Sequence, residues 1–433
     1  MSLSPATTRL RKRRSVTGVP HLTRDRATWF AYAHLGLWGF FLYGFGPLVP
    51  LLRDEQGTSA AVAGLHSTGI AVGALLGGAA FAPLARRLGR YRSSWLGLTG
   101  VAVGVVALAT LRPLPATLGA TVVIATFGML VISGVNVVLT ERHGLAAPAA
   151  LSEANAACAG MGILAPLAIG VAVAAGPGWR AALAVEVGLI ALVALVALVT
   201  RVPRPTAPTV PATARSAPAR LPRAYWVAWL LMAVTGSIEV CLSLWTADVL
   251  RSHAGLSAGA ASAAVAAIVG GMFLGRLVGG RFALRYPPVP LLFGALAVSL
   301  VGFTVFWVSP VGWLAVTGLF ILGTGNSMHY PLAMSVAFAA AGPAADRAAG
   351  YASYSMAIGF GIAPVALGWV ADGVGPHLAF LLLPGFIGLA ALLASGVRKG
   401  PFLSHSVEEG PPPNHDATLS SAGRASDRRP PAA

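Results

Sequence analysis

Apolar residues in this chain come in long unbroken runs, with polar positions gathered between them. Twelve such runs lie near residues 29–50, 60–82, 94–111, 116–139, 152–175, 180–200, 225–247, 259–283, 289–309, 312–340, 347–371 and 377–397. Each is long enough to cross about 30 Å of hydrocarbon as a helix. Strands of a membrane barrel would instead alternate polar and apolar residues over about ten positions. In lipid a helix satisfies its own backbone groups, so the pattern predicts twelve transmembrane helices. The first run follows the basic stretch "RLRKRR", as a signal peptide would. It is too long for an apolar signal region and eleven more runs follow, so it reads as helix 1.

Composition agrees with an all-α membrane protein. Of 433 residues, 56% are hydrophobic and 10% charged, with a mean hydropathy of +0.74; a soluble domain carries about 25% charged residues. The net charge of +16 raises the question of nucleic acid. Sorting Lys and Arg by side answers it. With the N-terminus inside, only Arg53, Arg112, Arg180 and Arg251 of the 30 basic residues fall in outer loops. This is the positive-inside asymmetry of an integral membrane protein, expected in a bacterial inner membrane with both termini cytoplasmic. No nucleic-acid partner is expected. The two cysteines, Cys158 and Cys241, lie in different spans with no metal-ligand spacing, so neither a metal site nor a cofactor is expected.

A Pro-, Ala- and Arg-rich stretch, residues 201–223, interrupts the apolar pattern between spans 6 and 7. It reads as a flexible cytoplasmic linker. The chain then divides into a basic tail (1–27), a six-helix half (28–200), the linker, a second six-helix half (224–398) and a disordered tail (399–433). The halves repeat. At an offset of 198 positions, Leu52, Arg53, Gly57 and Ser59 match Leu250, Arg251, Gly255 and Ser257. Gly73, Gly77, Ala85 and Arg87 match Gly271, Gly275, Ala283 and Arg285, and Ala165, Pro166 and Gly170 match Ala363, Pro364 and Gly368. An even number of helices separates the copies, so they run in the same direction. A two-fold axis along the membrane normal should relate them, with a site between them.

These residues resemble the major facilitator superfamily over roughly residues 28–398. The family carries a loop motif after helix 2, G-x-L-A-D-R-x-G-R-R, for which this chain has "APLARRLGRY". Leu84, Ala85, Arg87, Gly89 and Arg90 fit; Ala82 replaces the glycine and Arg86 the acid. The resemblance implies twelve helices in two bundles, alternating access, and an inner gate at Arg87, Arg90 and Arg285. It implies that the gate's charge relay, lacking its acid, is remade or absent. "YPLAMSVAFAAAGPAADRAAG" and "APVALG" are similar to the fucose-permease, sugar-type branch. In "GMGILAPLAIG", Pro166 and Gly170 fit the G-x-x-x-G-P-x-x-G-G motif of drug antiporters.

Ionisable groups within lipid are costly and usually functional. Two acids lie well inside spans: Glu186, about 9 Å along its helix from Arg180 and read as structural, and Glu239, about two-thirds of the way across span 7. Glu239 is the candidate proton-coupling or substrate carboxylate. Span 10 is the most polar, with Asn326, Ser327, His329 and Tyr330 between Gly323/Gly325 and Pro331, a composition suited to a cavity wall. His34, Trp38, His66, Asn136, Asn155, Trp245, Tyr351 and Tyr354 are further candidates for the pathway. "GLSAG" at 255–259 fits a nucleophile elbow, but no strand precedes it; Ser257 reads as a helix N-cap. The expected function is proton-coupled secondary transport of a small, sugar-like solute by a monomer, not an enzyme. The alternatives are a drug/proton antiporter and, remotely, a sensor or channel.

Overall fold

The computed structural model describes residues 22–200 and 220–398. The tails and nearly all of the linker read from the sequence lie outside these residues. Twelve long helical segments follow one another with short connections. The first half contains α1 (Arg26–Gln56), α2 (Ala60–Leu88), α3 (Arg90–Thr110), α4 (Leu114–His143), α5 (Ala147–Ala174) and α6 (Trp179–Thr200). In the second half, α7 is Arg223–Ser252, and α8 runs as Ala258–Ala264 and, past a break at Val265, as Ala266–Ala283. There follow α9 (Pro288–Val308), α10 (Gly312–Ala341), α11 (Ala345–Val374) and α12, split into Pro376–Ala379 and Leu382–Arg398. No strand occurs among the described residues.

Eleven of these helices are long and apolar enough to cross a membrane. The twelfth, α10, has the length, but "GTGNSMHY" dilutes its apolarity. α1 and α7 lie at the centre: 83% and 72% of their most apolar windows are buried, against 22% for α6, which faces lipid.

The repeat holds in three dimensions. Ser59 and Ser257 are both N-caps whose hydroxyls accept from the backbone N–H three residues on, Val62 and Ala260. Gly144–Ala146 and Gly342–Ala344, 198 positions apart, both form a single 3-10 turn, entered by a glycine at φ 51° or 52°. A side chain there would be strained. Gly73 and Gly77 pack their missing side chains against the carbonyls of Val122 and Thr126 on α4. Their mates Gly271 and Gly275 do the same against Phe320 and Thr324 on α10, again at the same offset. Close backbone approach through small residues is the usual means of packing helices in lipid.

α1 begins and α12 ends on one face, called here the terminal face; the opposite one is the far face. Across the halves, α1 packs on α7, α2 on α11 and α5 on α8. At the far end these seams are tight: a Cβ on Gly170 would lie 2.6 Å from the Gly259 carbonyl oxygen, and one on Gly368 2.6 Å from that of Ala60. Toward the terminal face, Asn136, Asn155, Tyr351 and Tyr354 are exposed. The space between the halves therefore opens to the terminal face and closes at the far face.

Packing within a half gives a direct test. A Cβ on Gly318 (α10) would stand 2.8 Å from the Gly302 carbonyl oxygen and from Cα of Phe306 on α9, whereas one on Gly294 meets nothing within 4 Å. Gly318→Val should destabilise the protein by about 1–3 kcal/mol by overpacking. Gly294→Val, on the lipid side, should leave the thermal midpoint in detergent nearly unchanged.

Candidate functional site

The space between the halves narrows to a tight cavity lined from the first half by Leu42, Tyr43, Phe45, Ser67 and Ile70. From the second half come Glu239, Val240, Ser243, Leu244, Val265, Ile268, Val269, Met272 and Phe360. A mostly apolar wall with a few convergent polar groups is the usual form of a ligand site.

Four helices supply the polar groups. Tyr43 comes from α1, where Gly162 of α5 makes room for its ring. Ser67 comes from α2; its hydroxyl donates to the Phe360 carbonyl across the seam at 2.7 Å. Glu239 and Ser243 lie one turn apart on α7. Beside them stands Arg276 of α8, whose guanidinium faces the Tyr43 hydroxyl and interacts with Glu239 and with Cys158 of α5. Arg276 is exposed, and its partners come from both halves, Tyr43 and Cys158 from the first and Glu239 from the second. A carboxylate and a guanidinium thus share the centre of the membrane region, each compensating a charge that would be costly alone.

Of the residues singled out from sequence, Glu239 lines this cavity and Tyr330 adjoins it, reaching Ser355 of α11 and interacting with Glu239. Asn155 lies one turn from Cys158 on the same face of α5, nearer the terminal face, and donates back to Leu151 O at 2.8 Å. Asn136, Tyr351 and Tyr354 are exposed toward the terminal face.

The others sit inside the bundles. His34 Nδ1 lies 2.9 Å from the Ser94 hydroxyl of α3, with the Trp95 ring edge-on at 4.4 Å. Trp38 fills the space left by Gly128 of α4. His66 bonds Ala63 O and the Thr117 hydroxyl. His329 Nε2 is 3.1 Å from the Ser299 hydroxyl of α9. Asn326 is buried against the Met272 sulfur at 3.9 Å. Trp245 donates to Pro364 O at 3.1 Å, and Tyr225 and Trp229 donate to Ala348 O and Tyr351 O, each at 2.8 Å. These three aromatics tie α7 to α11. Glu186 is fully buried between α6 and α1, beside Phe40, Phe41 and Gly44.

At the terminal face, Arg86, Arg87 and Arg285 are exposed, while Arg90 forms an ion pair with Glu141 of α4. An acid from α4 therefore meets the loop in which Arg86 occupies the acidic position.

Arg276 escaped the sequence reading because, counted by side, it joined Arg281 and Arg285 in the inner charge cluster. Two signals mark it out: it lies seven residues inside the end of α8, and its repeat mate is Gly78. Among the described residues, no three His, Cys, Asp or Glu side chains converge to hold a metal ion.

Comparison with known proteins matches this architecture. The chain is 32% identical over 131 residues to a glucose/galactose transporter of Brucella abortus biovar 1 (strain 9-941). The match covers 30% of this chain and 31% of that one, so it spans about a third of the length of the curated relatives. The structure superposes on a mutant of the nucleoside transporter NupG with a TM-score of 0.70 at 15% identity, covering 86% of this chain and 98% of the other. For a D-xylose-proton symporter the TM-score is 0.68 at 14% identity, covering 86% and 97%. The family profile described as Major Facilitator Superfamily matches residues 33–350, and to that superfamily the chain belongs.

Proposed function

We propose that this superfamily transporter moves a small, sugar-like solute by alternating access, coupled to protons, as a single chain. One observation carries the reading: a cavity between the repeated halves, open to the terminal face, is lined by Glu239 and Tyr43, and both interact with Arg276. Tyr43, Ser67 and Ser243 offer hydroxyls to a polyol, and the Tyr43 and Phe360 rings offer flat apolar faces. The partial match to a glucose/galactose transporter supports the same class. The terminal face is assigned to the cytoplasm of a bacterial inner membrane, following the distribution of Lys and Arg.

Glu239 is the proton carrier in this scheme. Ionised, it faces Arg276 and the pair is nearly neutral. Protonated, it leaves Arg276 to the substrate and to Tyr43. Proton binding at Glu239 and solute binding at Arg276 are thereby linked, because each relieves Arg276 of one partner and offers it another. Arg87 and Arg285 line the inner gate, and Arg90 is held by Glu141. A drug/proton antiporter is the second reading, favoured by the apolar majority of the wall, including Phe45, Leu244, Met272 and Phe360.

Glu239→Gln should abolish accumulation driven by a pH gradient while sparing solute exchange, because exchange needs no proton turnover. Continued pH-driven accumulation by the variant would remove Glu239 from the coupling. Arg276→Gln should reduce exchange as well, by roughly tenfold or more, since it removes a charged contact in the site. Thermal shift against hexoses and lipophilic cations separates the two substrate classes, because a ligand stabilises the state that binds it. Reporter fusions at Pro211 and Gly400 should both give a cytoplasmic signal; an outside signal at either overturns the assigned orientation.

A further inference from the structure

The far face is closed by more than small residues. Arg53, at the end of α1, donates to Asp248 of α7 through Nη1 and Nη2, at 2.5 and 3.1 Å. Its Nη2 also donates to Asp54 at 2.8 Å. Arg251, at the end of α7, donates to the other oxygen of Asp54 at 2.7 Å and lies 3.7 Å from Asp248. Asp372 of α11 accepts from the backbone N–H groups of Ala60 and Ala61 at 2.7 and 3.0 Å. It caps the start of α2, a helix of the other half. Three links therefore cross between the halves: Arg53 to Asp248, Arg251 to Asp54, and Asp372 to α2.

The arginines are repeat mates; the acids are not. Asp54, Asp248 and Asp372 correspond to Ser252, Pro50 and Ala174. The acids therefore do not follow from duplication, and their common property is that each joins the halves. Exposed ion pairs contribute little, but the Asp248 side chain is only 4% exposed. Its two-pronged contact with Arg53 is the strong form of the interaction. Removing one partner strands the other charge.

We propose that Arg53, Asp54, Asp248, Arg251 and Asp372 form a latch that holds the far side shut and sets the balance between the two facing states. This rests on the alternating-access reading, because the links are severed together only when the far side opens. The latch is lopsided. The α2/α11 seam is held by a carboxylate on a helix end, whereas the corresponding α5/α8 seam is held by Gly170 against Gly259. Charge removal therefore loosens the α1/α7 and α2/α11 seams and leaves α5/α8 as the pivot.

The test is electron–electron distance measurement between spin labels at Leu111→Cys and Pro310→Cys, exposed far-face positions in opposite halves. It is made in full-length protein reconstituted in lipid, on a Cys158→Ala/Cys241→Ala background that retains transport. Arg53→Gln, Arg251→Gln and Asp372→Asn should each add a longer-distance population, raising the far-open fraction roughly tenfold. Arg53→Gln combined with Asp248→Asn should do little more than either alone, because both remove one link. Arg112→Gln, which alters a pair within one half, should leave the distribution unchanged. Should Asp248→Asn fail to fold, Arg251→Gln, at a half-buried position, and Asp372→Asn, at an exposed one, carry the test. Unshifted distances in these variants, or an equal shift from Arg112→Gln, overturn the latch. Counterflow by the unlabelled wild-type protein tests the carrier reading separately, so either can fail without the other.

Discussion

Helices in lipid gain nothing by hiding apolar surface from one another, so what locks them together is how closely their backbones approach. In this protein that approach is bought with glycine, and the same purchases occur in both halves. Gly73 and Gly77 lie on Val122 and Thr126, Gly271 and Gly275 on Phe320 and Thr324. With α2 fixed to α4 and α8 to α10, each half behaves as a stiff body. The remaining freedom lies at the three seams between them. A cavity can then open on one face while the other stays shut, without unpacking either bundle.

Against that symmetric frame, the polar groups stand out as breaks in the repeat. Glu239 has Phe41 as its mate, Arg276 has Gly78, Asn326 has Gly128 and His329 has Val131. Duplication explains how the two halves pack, whereas chemistry has been added mainly to one of them. Tyr43, matched to Cys241, is the principal reply from the first half. The site is thus asymmetric, although the helices around it are nearly two-fold.

The sequence made the depth of each residue in the membrane readable, but not the direction it faces. Span lengths, the repeat register, the Ser59 and Ser257 caps and the polar character of α10 follow from hydropathy and spacing. Rotation about a helix axis does not, because these helices are apolar nearly all round and carry no stripe to orient them. His34 and His329 have the depth of cavity residues but point into their own bundles, toward Ser94 and Ser299. Glu239 reaches the cavity wall. Arg276 was hidden by a different effect: counting charges by side assigns a residue to the nearer surface, even one well within its helix.

The polarity of α10 also bears on how the protein is made. A segment carrying Asn326, Ser327 and His329 partitions poorly into lipid by itself. Part of its polar run faces α9, where His329 meets Ser299 and Gly325 lets that same serine approach, while Asn326 and Ser327 face Met272 and Gly275 of α8. Only Ser309 to Val311 separate the two helices. During synthesis α9 emerges first and can wait beside the insertion machinery. The order of the chain thus places Ser299, the partner of His329, one helix ahead of the segment that needs it.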